Sequence, residues 1–193
     1  RIAVPAVKVS NQAILLQMAA EKEFGVGNHT KLDHLTVTMA HPDATIAMIT
    51  GNKDITANFS SIPYQQRQAK TPGIRRLMTS TDILGAPFSF NIVATTSKFR
   101  TENPKLYKAF LDALKEATEI VSNNKQLAAE TYLKISKDKM PIEEVLELLN
   151  DPEHEFTTKV TPIDTMIQFM ARTGNFKNKP TSASELLFPE AQQ

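Results

Sequence analysis

The chain has 193 residues, of which 41% are hydrophobic and 22% are charged, and its net charge is +1 at neutral pH. This length and composition allow a buried core. Lys and Arg are spread along the chain, without the basic block that would indicate binding to nucleic acid or to an anionic membrane. The absence of cysteine excludes disulfides, thiolate nucleophiles and cysteine zinc sites. No apolar run approaches the roughly 20 residues of a membrane span.

The first half of the sequence alternates between strand and helix periodicity. The segments predicted as strands are 1–5, 34–39, 54–59 and 73–81. Three helices are predicted between them, one after Ser10, one from His41 and one from Pro63. The first of these is expected to end near Gly25. Strands and helices in this order predict βαβ units and a mostly parallel sheet, and therefore an α/β fold.

The second half is predicted to be mainly helical. Further strands are predicted within 85–99 and over 154–160, and helices over 102–123, 124–135, 141–150 and 161–174. The tail from Lys177 is rich in Pro and Ser and is expected to wrap the surface. A helical segment of this kind packs on a sheet built elsewhere. We expect its partner strands to precede Arg1, which has the features of a cut or processed end.

Candidate ligand contacts lie where strands of the predicted sheet end, because open parallel sheets bind ligands beyond the carboxyl ends of their strands. The segment 7–11 opens a helix, and Ser10 there either caps the helix or contacts a ligand beside free backbone N–H groups. The segment 59–64, Phe-Ser-Ser-Ile-Pro-Tyr, either lines a pocket or caps a helix with Tyr64 packed on a neighbour. The pocket is favoured, since rings and hydroxyls follow the strand end.

A third candidate segment is 85–91, where the chain leaves the first α/β unit. Phe88 and Ser89 lie either at a hinge beside the ligand or within an ordinary strand, and the sequence leaves both open. Other signals are weak. The Gly-Val-Gly at 25–27 lacks the third glycine of a dinucleotide fingerprint and follows a helix. A metal site is not predicted for the histidines that are close in sequence, His29, His34 and His41. A catalytic carboxylate pair is not predicted for Glu143 and Glu144.

Four phrases of the sequence, in this order and spacing, resemble a known family. They are "RIAVPAVKVSNQAILLQMAAEKEFG", "MITGNKDITANFSSIPY", "ILGAPFSFNIVATTSKFRTENPKLYKAFLDALKEATEIVSNN" and "MIQFMARTGNFKNKP". The chain is similar along nearly its whole length to the substrate-binding proteins of ABC importers. The branch it resembles is the nitrate, taurine and aliphatic-sulfonate type, which includes thiamine-precursor relatives.

The resemblance implies a type II periplasmic-binding fold, in which two α/β lobes enclose a ligand cleft. Residues 1–88 would form the second lobe. Residues 89–193 would form the crossover strand and the helical return portion of the first lobe, whose N-terminal part would precede this chain. The implied location is periplasmic, or extracellular on a lipoprotein, after export by a signal peptide outside this chain.

The family's ligand contacts imply eight site residues in this sequence. They are Ser10, Asn11, Phe59, Ser60, Ser61, Tyr64, Pro87 and Phe88. Many sulfonate binders have Gly-Ser before the helix, and this chain departs from that pattern with Val9-Ser10. The cysteine-rich motif of the fungal thiamine-precursor synthases is absent.

The function that the resemblance implies is solute binding without catalysis. The partners would be a small sulfonate, nitrate, taurine or pyrimidine-like ligand and the permease subunits of an ABC importer. The protein would be monomeric, without cofactor, metal or nucleic acid. The alternative is the effector-sensing domain of a transcription regulator, which has a similar two-lobe fold and would follow a helix-turn-helix segment.

Overall fold

A computed structural model of the chain describes residues 1–161, 163–176, 178, 180 and 182–192. Its chain divides into two compact units. The first comprises Arg1–Phe90 and Thr161–Leu187, and the second Asn91–Val160 and Phe188–Gln193. The expected lobes, 1–88 and 89–193, stay a prediction.

The first unit is built on a small parallel sheet, which agrees with the predicted βαβ order. Its strands are β1 (Ile2–Val4), β2 (Thr36–Thr38) and β3 (Ala57–Asn58), in the order β2-β1-β3. Ile2 of the central strand pairs with Thr36 on one side and Ala57 on the other. The small side chains of Ala3 and Ala44 are fully buried, which lets the helix after β2 pack closely on the sheet.

The first three helices of the first unit each follow a strand, and two further helices complete the unit in the described part of the chain. They are α1 (Asn11–Phe24), α2 (His41–Ile49), α3 (Tyr64–Ala69), α4 (Ser80–Leu84) and α9 (Asp164–Arg172). Residues His29–Leu35 and Ala183–Glu185 form short 3-10 helices. The main core cluster joins Ile14, Leu15 and Met18 of α1 to Met166 and Phe169 of α9. Thus the last predicted helix completes the core of the α/β unit.

The second unit is helical, as its periodicity predicted. Its helices are α5 (Ser97–Glu102), α6 (Pro104–Asn123), α7 (Lys125–Ser136) and α8 (Ile142–Asn150), followed by a 3-10 turn at Pro189–Ala191. The helix predicted over 102–123 is confirmed as α6, which starts at Pro104. The short α5 was not predicted, and it ends before Asn103 because a residue before proline is disfavoured in the helical region. Lys177, where the predicted tail begins, lies outside the described residues.

Three predicted strands are wrong. Residues 73–79, 85–96 and 154–160 run without helix or strand, and Ser80–Leu84 form a helix instead. Leu77 and Val93 are 69% and 63% exposed. A strand needs a neighbouring strand for its backbone hydrogen bonds, and none pairs with these segments in the described chain. At 79–82, a capping box between Thr79 and Asp82 starts α4.

The helices give no indication of a membrane-spanning segment. In the described part of the chain, none combines the length and the apolar content needed to cross a bilayer.

Candidate functional site

The carboxyl ends of the three strands lie at one edge of the parallel sheet. From that edge, β1 leads into α1 at Asn11, β2 into α2 at His41, and β3 into α3 at Tyr64. Each connection thus ends at the N-terminus of a helix, where backbone N–H groups lack partners within the helix. This is the edge at which open α/β sheets bind ligands.

Ser10 uses its hydroxyl to cap α1. Its Oγ accepts a hydrogen bond from the Ala13 backbone N–H at 3.2 Å and donates one to the Ala6 carbonyl at 2.8 Å. Both bonds lie at the N-terminus of α1. The hydroxyl therefore caps the helix, which is one of the two interpretations of the sequence. Asn11 follows as the first helical residue, and its side chain is exposed. Ligand contact at either residue stays a prediction.

The segment after β3 divides its side chains between core and polar contacts. Phe59 donates its backbone N–H to the Ala3 carbonyl at 2.9 Å, and its ring packs on the main core cluster. Ser60 Oγ accepts a hydrogen bond from Gln68 Nε2 at 3.3 Å. Ser61 Oγ lies 3.1 Å from Nε2 of His41. The two serines are therefore held by side chains of neighbouring helices.

His41 is a residue at this edge that the sequence interpretation did not assign to the ligand site. Its Nε2 lies 3.1 Å from Gln12 Nε2 and 3.1 Å from Ser61 Oγ. Its ring stacks on Tyr64, with 5.6 Å between the ring centroids and 19° between the planes. The sequence contains a signal that could have identified His41 as a site residue. His41 follows the second strand in the same way that Ser10 and Tyr64 follow the first and third.

Burial affects the charge state of His41. Withdrawal of the imidazole from water lowers its pKa below the usual 6.5, because the charged form loses more hydration than the neutral one. Its position in the first turn of α2 acts in the same direction, since a helix N-terminus disfavours positive charge. The ring is therefore neutral at pH 7.

Pro87 and Phe88 lie in the irregular segment after α4. Pro87 is exposed, whereas the Phe88 ring packs on the main core cluster and meets Phe90 edge to face at 6.0 Å. Ser89 Oγ lies 3.0 Å from Thr161 Oγ1 and accepts a hydrogen bond from the Thr161 N–H at 2.9 Å. The structure therefore brings Phe88 and Phe59 to one core cluster, and Ser61 and Tyr64 to His41.

The histidines that are close in sequence have different surroundings. His29 Nδ1 lies 3.9 Å from Glu21 Oε2, and its ring meets Phe169 edge to face. His41 instead contacts Gln12, Ser61 and Tyr64, and these four residues are called the strand-end cluster. Among the described residues, no group of three or more His, Asp or Glu side chains is arranged to hold a metal ion.

The comparison with known proteins identifies the family. A family model described as NMT1/THI5 like matches residues 1–128 of the 193. The chain belongs to the NMT1/THI5-like family. The members of this family are mostly solute-binding proteins with the type II periplasmic-binding fold, which confirms the predicted substrate-binding family and the α/β class. The nitrate, taurine or sulfonate specificity stays a prediction. No curated protein and no solved structure matched the chain.

Proposed function

We propose that this NMT1/THI5-like protein is the solute-binding component of an ABC import system. It captures a small anionic or heteroaromatic molecule in a cleft between two α/β lobes and delivers it to the permease. The protein acts outside the cytoplasmic membrane, in the periplasm or as an extracellular lipoprotein. It works as a monomer without a cofactor and does not transform its ligand.

The observation that carries this proposal is the convergence of polar side chains at one edge of the sheet. The connections after all three strands contribute to it, through Gln12, His41, Ser61 and Tyr64. The partly exposed hydroxyls of Ser61 and Tyr64 offer hydrogen bonds, and the Tyr64 ring offers a flat surface, the combination that orients a small polar ligand. The buried Gln12 amide holds His41 in place from within. Asn11, exposed beside this cluster, adds a further amide.

Binding in such a protein is coupled to closure of the cleft. A ligand that touches both lobes stabilises the closed state by its extra contacts there, and the permease then distinguishes loaded from empty protein. Under this proposal the strand-end cluster is one wall of the cleft.

Calorimetry on the full chain tests the proposal. Nitrate, taurine, an alkanesulfonate and an aminopyrimidine are titrated separately, and we expect one class to bind. Tyr64→Ala should weaken that binding by about tenfold or more, as the loss of a stacking surface worth roughly 1–2 kcal/mol implies. Tyr132→Ala is the matched control, because Tyr132 is a half-exposed tyrosine on α7.

Two results would contradict the proposal. One is chemical conversion of any of these compounds by the protein. The other is binding that Tyr64→Ala and Tyr132→Ala weaken equally, which would place the ligand away from the strand-end cluster.

A further inference from the structure

The ring of His41 connects the three segments that leave the carboxyl edge of the sheet. Its own helix follows β2, Gln12 belongs to the helix after β1, and Ser61 and Tyr64 belong to the segment after β3. Gln12 is only 5% exposed, so it holds its amide at the ring from inside the fold. A change at this imidazole therefore reaches every segment that forms the edge.

The orientation of the Gln12 amide favours a neutral His41 ring. The Gln12 Nε2 atom is an amide nitrogen and donates only, so the His41 Nε2 that faces it at 3.1 Å must accept. With Nε2 unprotonated, the Ser61 hydroxyl at 3.1 Å can only donate, so it shares the single lone pair of this nitrogen with Gln12. The proton of the neutral imidazole is then on Nδ1, which is buried and has no hydrogen-bond partner among the described residues.

Protonation of Nε2 would reverse these contacts. The cationic ring would direct an N–H at the amide N–H of Gln12, and Ser61 would have to rotate its hydroxyl to accept instead of donate. Both ring nitrogens would carry a proton, and Nδ1 would remain without an acceptor in a site shielded from water. The two hydrogen bonds that the neutral ring accepts at Nε2 are thus lost together.

Charged groups near the cluster do not compensate the added charge. Within four residues of Gln12, His41, Ser61 and Tyr64 along the chain, the other titratable groups are Lys8, Asp43 and Arg67. Burial, not the charge of any of these, is the cause of the lowered pKa of His41. Tyr64 touches the ring by stacking.

We propose that His41 is a pH-sensitive positioning residue of the strand-end cluster. The neutral ring holds Ser61 and Tyr64 against Gln12, and protonation releases the segment after β3 from the other two. The consequence for transport rests on the proposed function, in which the released segment belongs to one wall of the ligand cleft. Ligand affinity should then fall by about tenfold per pH unit below the pKa of His41, as expected for a single linked proton.

The test needs no ligand. Histidine and tyrosine ring signals of the full chain are followed by NMR from about pH 7.5 to about pH 4.5, a range that brackets histidine titration. We expect the neutral His41 to carry its proton on Nδ1 and to titrate with a midpoint below 6.5. The Tyr64 ring signals should shift with the same midpoint, since release of the stack changes their environment.

Two variants separate His41 from other titrating groups. His41→Gln should abolish the pH-dependent shift of Tyr64, because an amide does not titrate. His34→Gln is the control and should leave the shift unchanged, since His34 is an exposed histidine in the preceding 3-10 helix.

Three outcomes would overturn the proposal: a neutral His41 with its proton on Nε2, Tyr64 signals that do not follow the His41 midpoint, or a Tyr64 shift that persists in His41→Gln. If His41→Gln does not fold, comparison of the His41 and Tyr64 midpoints in the unchanged chain decides whether the proposal holds. Since no ligand is used, failure here leaves the proposed function standing, and failure of the calorimetric test leaves this result standing.

Discussion

At the residue scale, the hydroxyl groups predicted to meet a ligand are engaged by the fold itself. Ser10 is bonded to two backbone groups, and Ser60 shares the buried Gln68 amide with Thr45, which lies 2.9 Å from Gln68 Nε2. Gln68 is 5% exposed, so this tie between α2 and α3 is shielded from water. These hydroxyls therefore shape the edge of the sheet before any ligand arrives.

Ser10→Ala should lower the free energy of unfolding by about 1 kcal/mol, because the Ala13 N–H loses its cap. Urea unfolding measures this change. Asn11→Ala is the matched neighbour: its side chain is exposed, so stability should change by less than about 0.5 kcal/mol. Equal losses in the two variants would show that the cap is not the source of the stabilisation.

The lowered pKa of His41 also predicts how stability depends on pH. The unfolded chain binds the proton near 6.5 and the folded chain only at lower pH, so protons favour the unfolded state. This contribution to stability is complete above 6.5, declines as the pH falls and levels off below the folded pKa. Urea unfolding at several pH values should show the decline in His34→Gln and a smaller one in His41→Gln.

At the scale of elements, α9 is fastened to α1 by a charged contact at the margin of the main core cluster. Arg172 forms two hydrogen bonds with Glu21, at 2.6 and 3.2 Å, and its guanidinium lies 5.4 Å from the Phe169 ring centroid. The Glu21 side chain is only 11% exposed, which limits screening by solvent. The paired geometry makes this contact stronger than an ordinary surface ion pair.

Arg172→Ala should cost about 1 kcal/mol of stability, a value reduced because half of the arginine side chain is exposed. Lys108→Ala serves as control, since the Lys108–Asp112 pair is exposed and should contribute no more than about 0.5 kcal/mol. Chemical denaturation of both variants gives the comparison. Equal effects would mean that the partly buried carboxylate adds nothing.

In the second unit, a short C-terminal segment packs on α5 and α6. Phe188 meets Tyr107 edge to face at 5.9 Å, and the Arg100 guanidinium lies 5.1 Å from the Phe188 ring centroid. Arg100 also donates to Glu190 at 2.7 Å. That bond lowers the pKa of Glu190 and raises that of Arg100, so both remain charged over the usual pH range.

Phe188→Ala should reduce the free energy of unfolding by about 1–2 kcal/mol, through lost ring burial and lost aromatic contact. The near-ultraviolet circular dichroism of Tyr107 should weaken with it. Phe110→Ala is the control, because that ring is 54% exposed on α6 and should cost much less. A larger loss in Phe110→Ala would show that α6 has packing partners beyond the contacts of Phe188.

At the scale of the whole molecule, the chain forms two units and crosses between them after Phe90, after Val160 and after Leu187. Each unit has its own buried cluster, around Ile14 in the first and around Met140 in the second. The first crossing begins with a segment, residues 91–96, that has no helix or strand and is exposed throughout.

Limited digestion with elastase should therefore cut first within 91–96, which contains exposed Ile, Val and Ala residues. Mass spectrometry of the early fragments locates the cut. First cleavage inside α1 or α7 would contradict the division into two separately packed units, because those backbones are protected by helical hydrogen bonds.

The sequence by itself determined the features that local interactions control. Helix α1 begins at its Ser10 cap and ends before Gly25, as the hydrophobic periodicity and these caps predicted. The three strands of the sheet were also found, although they are shorter than expected. The match to the NMT1/THI5-like family over residues 1–128 agrees with the resemblance seen in the sequence alone.

Only the tertiary structure decided which predicted strands find partners and which side chains meet. The segment 73–79 has residues that favour strands, but it lacks a neighbouring strand, and the Thr79–Asp82 capping box directs the chain into α4. His41 lies 29 residues from Gln12 and 20 from Ser61, so no local pattern reveals their contact. Strand pairing and side-chain clusters depend on residues that are far apart in the sequence. These residues come into contact only when the chain packs.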